Sequence, residues 1–128
     1  MTGTWPLRRE PASAAEARGL ARSFIGRTLG AADKDAVLLV VSELVTNAVQ
    51  HGDDPIELSL AMARGSVRVE VEDGGHRAPA MSLCGNDEVS GRGLGIVAAL
   101  GRWGCEPIEG NGKRVWCDVG TGGAPAQS

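Results

Sequence analysis

Three groups of polar residues sit where a packed domain has little use for them. The first is Glu43, Asn47 and His51, spaced i, i+4, i+8 so that they share one face of a helix. That helix otherwise carries Val37, Leu38, Val40, Val41, Leu44, Val45, Ala48 and Val49 and reads as largely buried. A carboxylate on it must be paired, hydrated or facing a cavity. An acid and an amide one turn apart can hold a water and a hard cation together, and Mg²⁺ prefers oxygen ligands. A solvated stripe on an amphipathic helix accounts for the same spacing. His51 reads as a capping or packing residue.

The second group is Asp73-Gly74-Gly75, directly after an alternating strand. An aspartate at a strand end can accept hydrogen bonds from a ligand's exocyclic amine, and the glycines let a flat ring approach the backbone. Simple turn chemistry explains the same residues. The third group is Gly91-Arg92-Gly93-Leu94-Gly95, at or inside a helix start. Alternating glycines leave backbone N–H groups uncovered near a positive helix end, which suits phosphate oxygens. A glycine inside a helix costs about 1 kcal/mol relative to alanine, so Gly95 wants a reason. The order is not that of a P-loop, and no βαβ unit makes it a dinucleotide fingerprint. Taken in chain order, the three groups describe one nucleotide site: metal end, base end and phosphate cradle.

The elements that must position them follow from pattern. Ala12 to Leu29 reads as a helix with Ala17, Leu20, Ala21, Phe24, Ile25 and Leu29 inward, Arg18 and Arg22 in solvent, and Gly30 as the stop. The second helix runs from about Asp33, as N-cap, to Gln50, with Gly52 ending it. Ile56, Leu58 and Leu60, then Val67, Val69 and Val71, alternate with polar residues on either side of an Arg64-Gly65-Ser66 turn, which is a hairpin with one apolar face. Residues 76 to 90 show little periodicity. A third helix spans about Gly93 to Trp103, and Cys105 to Ile108 with Arg114 to Val119 forms a last hairpin. The expected architecture is α+β, a two-layer sandwich whose mixed, mostly antiparallel sheet is covered by helices on one face. Residues 1–11 form an N-terminal segment with an edge strand around Trp5 to Arg8, 12–119 the domain, and 120–128 a disordered tail.

Composition narrows the functional classes. The 128 residues hold 13 basic and 16 acidic side chains, a net charge of −3, which argues against a dedicated nucleic-acid binder. The basic residues are almost all arginine, so Lys34 and Lys113 are unusual local choices. The longest apolar run, Val37 to Val41, is far short of the ~20 residues that cross a bilayer. Cys84, Cys105 and Cys117 lack metal-ligand spacing and read as free thiols in a reducing compartment. Met1 to Pro11 has no long apolar segment, so no signal peptide is expected and the location is read as cytoplasmic.

With these residues in place the chain resembles the GHKL, or Bergerat-fold, ATPase superfamily of histidine kinases, gyrase and Hsp90. Within it the chain is similar to small anti-sigma-factor serine kinases of the RsbW and SpoIIAB type. Ser42-Glu43-Leu44-Val45-Thr46-Asn47-Ala48-Val49-Gln50-His51-Gly52 resembles that family's N box, and Val69-Glu70-Val71-Glu72-Asp73-Gly74-Gly75 its first glycine box. Ser90-Gly91-Arg92-Gly93-Leu94-Gly95-Ile96-Val97 resembles the second glycine box. Gly112-Lys113-Arg114-Val115-Trp116 resembles the usual Gly-Lys-Thr-Val-Trp of the last strand.

The resemblance implies ATP and Mg²⁺ as ligands. Asn47 would coordinate the metal, and Glu43 would be the general base. Asp73 would bind the adenine amine, with Gly75 allowing close approach. Gly91, Arg92, Gly93, Leu94 and Gly95 would wrap the phosphates, and residues 76 to 90 would be a short lid. The departure is Arg114, which stands where the family has a threonine whose hydroxyl helps hold adenine. Lys113 is left with two placements, beside the pocket or in solvent. The implied function is a serine/threonine protein kinase that blocks a sigma factor and phosphorylates a STAS-type anti-anti-sigma partner, as a homodimer, with neither nucleic acid nor membrane as partner. The alternative is a non-catalytic module that sequesters a protein partner with ATP bound or with none.

Overall fold

Period-two patterning decides the sheet. The structure, a computed structural model, describes residues 1–74, 91–108 and 112–122, with only the backbone at 91–94. Its elements are β1 Thr2–Leu7, α1 Ser13–Ile25, α2 Ala31–His51, β2 Ile56–Ala63, β3 Ser66–Asp73, α3 Gly91–Leu100, β4 Gly101–Ile108 and β5 Gly112–Gly120. The strands form one five-stranded sheet in the order β1-β2-β3-β5-β4. Among the described residues all four pairings are antiparallel, where a mixed, mostly antiparallel sheet was expected.

Alternation gives the sheet two unlike faces. Ile56, Leu58, Leu60, Val67, Val69, Val71, Val115, Cys117 and Val119 are buried in one core with Val37, Val40, Val41, Leu44 and Val45 of α2. α2 lies on β3 and β5, flanked by α1 on one side and by α3 on the other. The opposite face carries Arg68, Glu70, Glu72, Arg114, Trp116 and Asp118, none of them buried.

Several boundaries move for local reasons. α1 stops at Gly26, whose φ of 54° only glycine adopts readily, rather than at Gly30. Gly30 is instead the N-cap of α2. Asp33 sits in that helix's first turn, where its carboxylate favours the positive end and accepts a 2.8 Å hydrogen bond from the Gly122 N–H. That bond ties Gly122, within the expected tail of 120–128, to α2; residues 123–128 lie outside the described residues. Arg18 does not point into solvent but donates to Ser42 Oγ at 2.8 Å, tying α1 to α2. β1 is an edge strand starting at Thr2, and its Trp5 meets Phe24 of α1 edge-to-face at 5.5 Å. α3 ends at Leu100, three residues earlier than expected, and β4 begins at once at Gly101.

The thiols divide. Cys117 is free and buried under the helices, as expected. Burial, with a smaller contribution from Asp118, pushes its pKa up to about 11. Cys105 corrects the expectation: it is disulfide-bonded.

Candidate functional site

The long helix α2 carries the first group. Its last three turns are buried at Leu44, Val45 and Ala48, and Asn47 among them is only 9% exposed. Glu43 and His51 are half-buried on the same face. Neither Glu43 nor Asn47 makes a side-chain hydrogen bond or ion pair with another described residue. The Asn47 amide is not among the side-chain atoms sealed from solvent without a partner, so it stays open to water or a ligand.

Gly52 ends α2, its N–H bonded to Ala48 O at 2.8 Å. A Cβ on Gly52 would stand 2.5 Å from Asp73 Cγ, so glycine is what lets the helix end meet that carboxylate. Asp73 is the last residue of β3, 3% exposed, on the core side of the strand with Val67, Val69 and Val71. The second group is thereby brought against the end of the first.

Across the ladder Asp73 pairs with Lys113 of β5. Lys113 Nζ stands 3.0 Å from Asp73 Oδ2, with the two side chains 4% and 1% exposed. The contact is an ion pair by distance, but its angles are not those of a hydrogen bond: Lys113 Nζ and Asp73 Oδ1 are both buried without a hydrogen-bond partner. A desolvated carboxylate and ammonium normally satisfy every lone pair and proton they can. Here Asp73 Oδ1 and Lys113 Nζ are left without a hydrogen-bond partner among the described residues.

Arg114 is the neighbour with the opposite fate. It pairs with Glu72, one step along, and so lies on the open face of the sheet. There it reaches Glu72 at 2.7 Å, Glu106 at 2.6 Å and Glu70 at 3.6 Å. Hydrogen bonds to Glu72 and then Glu106 raise its pKa further. The loss of the family's threonine at this position therefore does not place a guanidinium beside Asp73. The residue that stands there is Lys113. The motif leaves Lys113 two placements, and strand parity decides between them: Lys113 has the register of Val115, Cys117 and Val119, all core-facing.

The third group opens α3. The helix begins at Gly91, so Gly91, Arg92, Gly93, Leu94 and Gly95 make its first turns, at the positive end of its dipole. A Cβ on Gly95 would meet nothing within 4 Å, so packing among the described residues does not require glycine there. Gly75, His76 and the remainder of the expected lid lie outside the described residues. Among the described residues no cluster of three or more His, Cys, Asp or Glu could hold a metal ion. A cation here would depend on Asn47 and on oxygens brought by a ligand, the usual manner of Mg²⁺ with phosphates.

This order of parts is that of a known domain. The histidine kinase-like ATPase domain model matches residues 7–103 of the 128, and the chain belongs to that family. ATP is the ligand this membership implies. Among solved structures the chain is similar to the RsbU and RsbW domains of Rv1364c from Mycobacterium tuberculosis, at 20% identity and a TM-score of 0.65, over 94% of this chain and 32% of that one. It is also similar to the histidine kinase domain of the blue-light activated histidine kinase EL346 from Erythrobacter litoralis, at 22% identity and a TM-score of 0.51, over 84% of this chain and 59% of that one. At these identities the likeness is one of fold, and the chain spans less than two thirds of either structure. No curated protein matches this chain.

Proposed function

We propose that this chain is an ATP- and Mg²⁺-dependent serine/threonine protein kinase acting as an anti-sigma factor in the cytoplasm. It would hold a sigma factor inactive and phosphorylate a STAS-type anti-anti-sigma protein on serine. The observation that carries the reading is the α2 face, where Glu43 and buried Asn47, without side-chain partners among the described residues, lead to the Asp73 carboxylate. The likeness to an RsbW domain supports the partner-switching part.

The residues have separable tasks. Asp73 accepts a hydrogen bond from the adenine amine. The helix start at Gly91 to Gly95 offers backbone N–H groups to the phosphates. Asn47 would hold Mg²⁺, which when bound neutralises phosphate charge. Glu43, half-buried and without a partner among the described residues, takes the proton of the attacking serine hydroxyl as its oxygen bonds to the γ-phosphorus. The bond from that phosphorus to the β–γ bridging oxygen breaks, and ADP leaves. Among the described residues no helix is long and apolar enough to cross a membrane.

Calorimetric titration with ATP, with and without Mg²⁺, tests the site. Micromolar, magnesium-dependent binding that is lost in Asn47→Ala and Asp73→Asn is the expected result. Transfer of labelled γ-phosphate to a STAS-type protein tests the activity, and Glu43→Gln should slow it by roughly 10²- to 10⁴-fold. A Glu43→Gln protein as fast as wild type would remove the base from Glu43. A second reading has its own observation: Lys113 occupies Asp73 at 3.0 Å. A domain whose base site is filled by its own lysine would sequester partners without nucleotide, and partner binding indifferent to ATP would select that reading.

A further inference from the structure

Lys113 is one of two lysines in the chain, and it is the one buried cation of the core-facing sheet surface among the described residues. Every other described side chain on that surface of β3 and β5, apart from Asp73, is apolar. An ammonium there needs a strong reason, because desolvation disfavours its charged form unless the site returns the lost hydrogen bonds. Asp73 alone does not return them, since their contact lacks hydrogen-bond geometry and Nζ is otherwise unsatisfied.

We propose that Lys113 is a base-reading residue that donates a hydrogen bond to the ring nitrogen N1 of adenine, beside the amine that Asp73 accepts. The proposal rests on the nucleotide-site reading above and deepens it. An acceptor, Asp73 Oδ1, and a donor, Lys113 Nζ, lie side by side at the bottom of one buried pair. The polar edge of adenine offers the complementary pair: an N–H donor on the exocyclic amine next to the N1 acceptor. Gly52 lets the end of α2 close on the Asp73 carboxylate, and Gly112 lets β5 close on the Asp73 backbone carbonyl. Guanine fits less well. Its N1–H and exocyclic amine are adjacent donors that need both carboxylate oxygens, and Oδ2 already faces Lys113.

The test uses the whole chain and three nucleotides, ATP, 1-deaza-ATP and GTP, by calorimetry with Mg²⁺. The 1-deaza analogue keeps the amine but replaces N1 by C–H. Loss of a hydrogen bond from a charged donor should weaken binding roughly 10- to 100-fold relative to ATP. In Lys113→Met the two ligands should bind with equal affinity. In Lys113→Gln, whose amide keeps a donor, part of the preference for ATP should return. The ratio is taken within each variant, so a general loss of stability cancels. GTP should bind more weakly than either adenine nucleotide in wild type.

Equal binding of ATP and 1-deaza-ATP by wild type, with ATP binding otherwise intact, overturns the inference and leaves the nucleotide site standing. Tighter ATP binding by Lys113→Met than by wild type also overturns it, because the lysine would then be an occupant that ATP must displace. Absence of any nucleotide binding by folded wild-type protein overturns this inference together with the reading it rests on.

Discussion

Lys113 and Arg114 are adjacent basic residues on one strand, and the sheet gives them opposite physics. Arg114 lies on the open face, its side chain 31% exposed, with three glutamates around it. Lys113 lies beneath the helices, 4% exposed, with one aspartate. The exposed network has many partners and gains little, because solvent screens each pair and competes for every hydrogen bond. The buried pair has one partner and high stakes, because each head is left uncompensated if the other is removed. Partner count is therefore a poor guide to which cation matters. Burial and unsatisfied atoms say more.

The largest expected effect tests that contrast directly. Asp73→Asn leaves the Lys113 ammonium buried without a counter-charge, and Lys113→Met leaves the Asp73 carboxylate in the same condition. Either substitution should destabilise the domain by about 3–5 kcal/mol in denaturant unfolding. The double variant, Asp73→Asn with Lys113→Met, removes both charges and should recover a substantial part of that loss. A double variant as unstable as the sum of the singles would show that packing, not charge, holds this corner.

The next effect belongs to the same buried face. Cys117 has its thiol pKa pushed up to about 11 from a usual 9.0, mainly because the thiolate would be buried. The unfolded chain therefore gives up the proton first. Stability from this group is complete below pH 9.0, falls as pH rises, and is lost through pH 11. Over that window wild type should lose on the order of 2 kcal/mol more than Cys117→Ala. Equal slopes for the two proteins would mean that the thiol titrates as if exposed. Thiol reagents at pH 8 should label Cys117 only at the rate of unfolding.

How much of this was readable beforehand divides along the same line. Alternation in Ile56 to Leu60 and Val67 to Val71 is a local signal, and it predicts the central hairpin about an Arg64-Gly65-Ser66 turn, of which Ser66 already belongs to β3. The shared face of Glu43 and Asn47 is also local, and α2 delivers both on one side. The placement of Lys113 is not local. It depends on the register of β5 against β3, which pairs Asp73 with Lys113 from a distant part of the chain. A motif match aligned Arg114 with a base-contacting threonine, whereas strand parity assigns that side chain to the far face. Gly30 reads as the end of α1 because glycine ends helices, but Gly26 takes a positive φ first and Gly30 is left to start α2. Composition likewise hid the disulfide at Cys105, since odd cysteine number and spacing say nothing of which sulfurs meet.

The outer face supplies the smaller effects. Arg114→Thr restores the residue usual in the family. Its side chain would project away from Asp73, so ATP affinity should stay within about twofold, in contrast to Lys113 variants. Stability should fall by no more than about 1 kcal/mol, and the loss should shrink at high salt. A gain of tenfold or more in ATP affinity would mean that position 114 reaches the nucleotide, and the parity assignment would fail.

The smallest effect sharpens the account of what the open face is for. The Arg68 guanidinium carbon lies 4.2 Å from the centroid of the Trp116 ring, while Arg68 also pairs with Glu70 at 2.9 Å and Asp118 at 3.3 Å. At an exposed site the stacking contributes about 0.5–1 kcal/mol, comparable with each ion pair. The two contributions differ in salt response, because ring stacking has no long-range counter-charge to screen. A double-mutant cycle on Arg68→Ala and Trp116→Leu should therefore give a coupling of about 0.5–1 kcal/mol that survives high salt. A cycle on Arg68→Ala and Asp118→Ala should give a coupling that fades under the same conditions. If both couplings fade together, Trp116 serves only as a surface over which the charges are arranged.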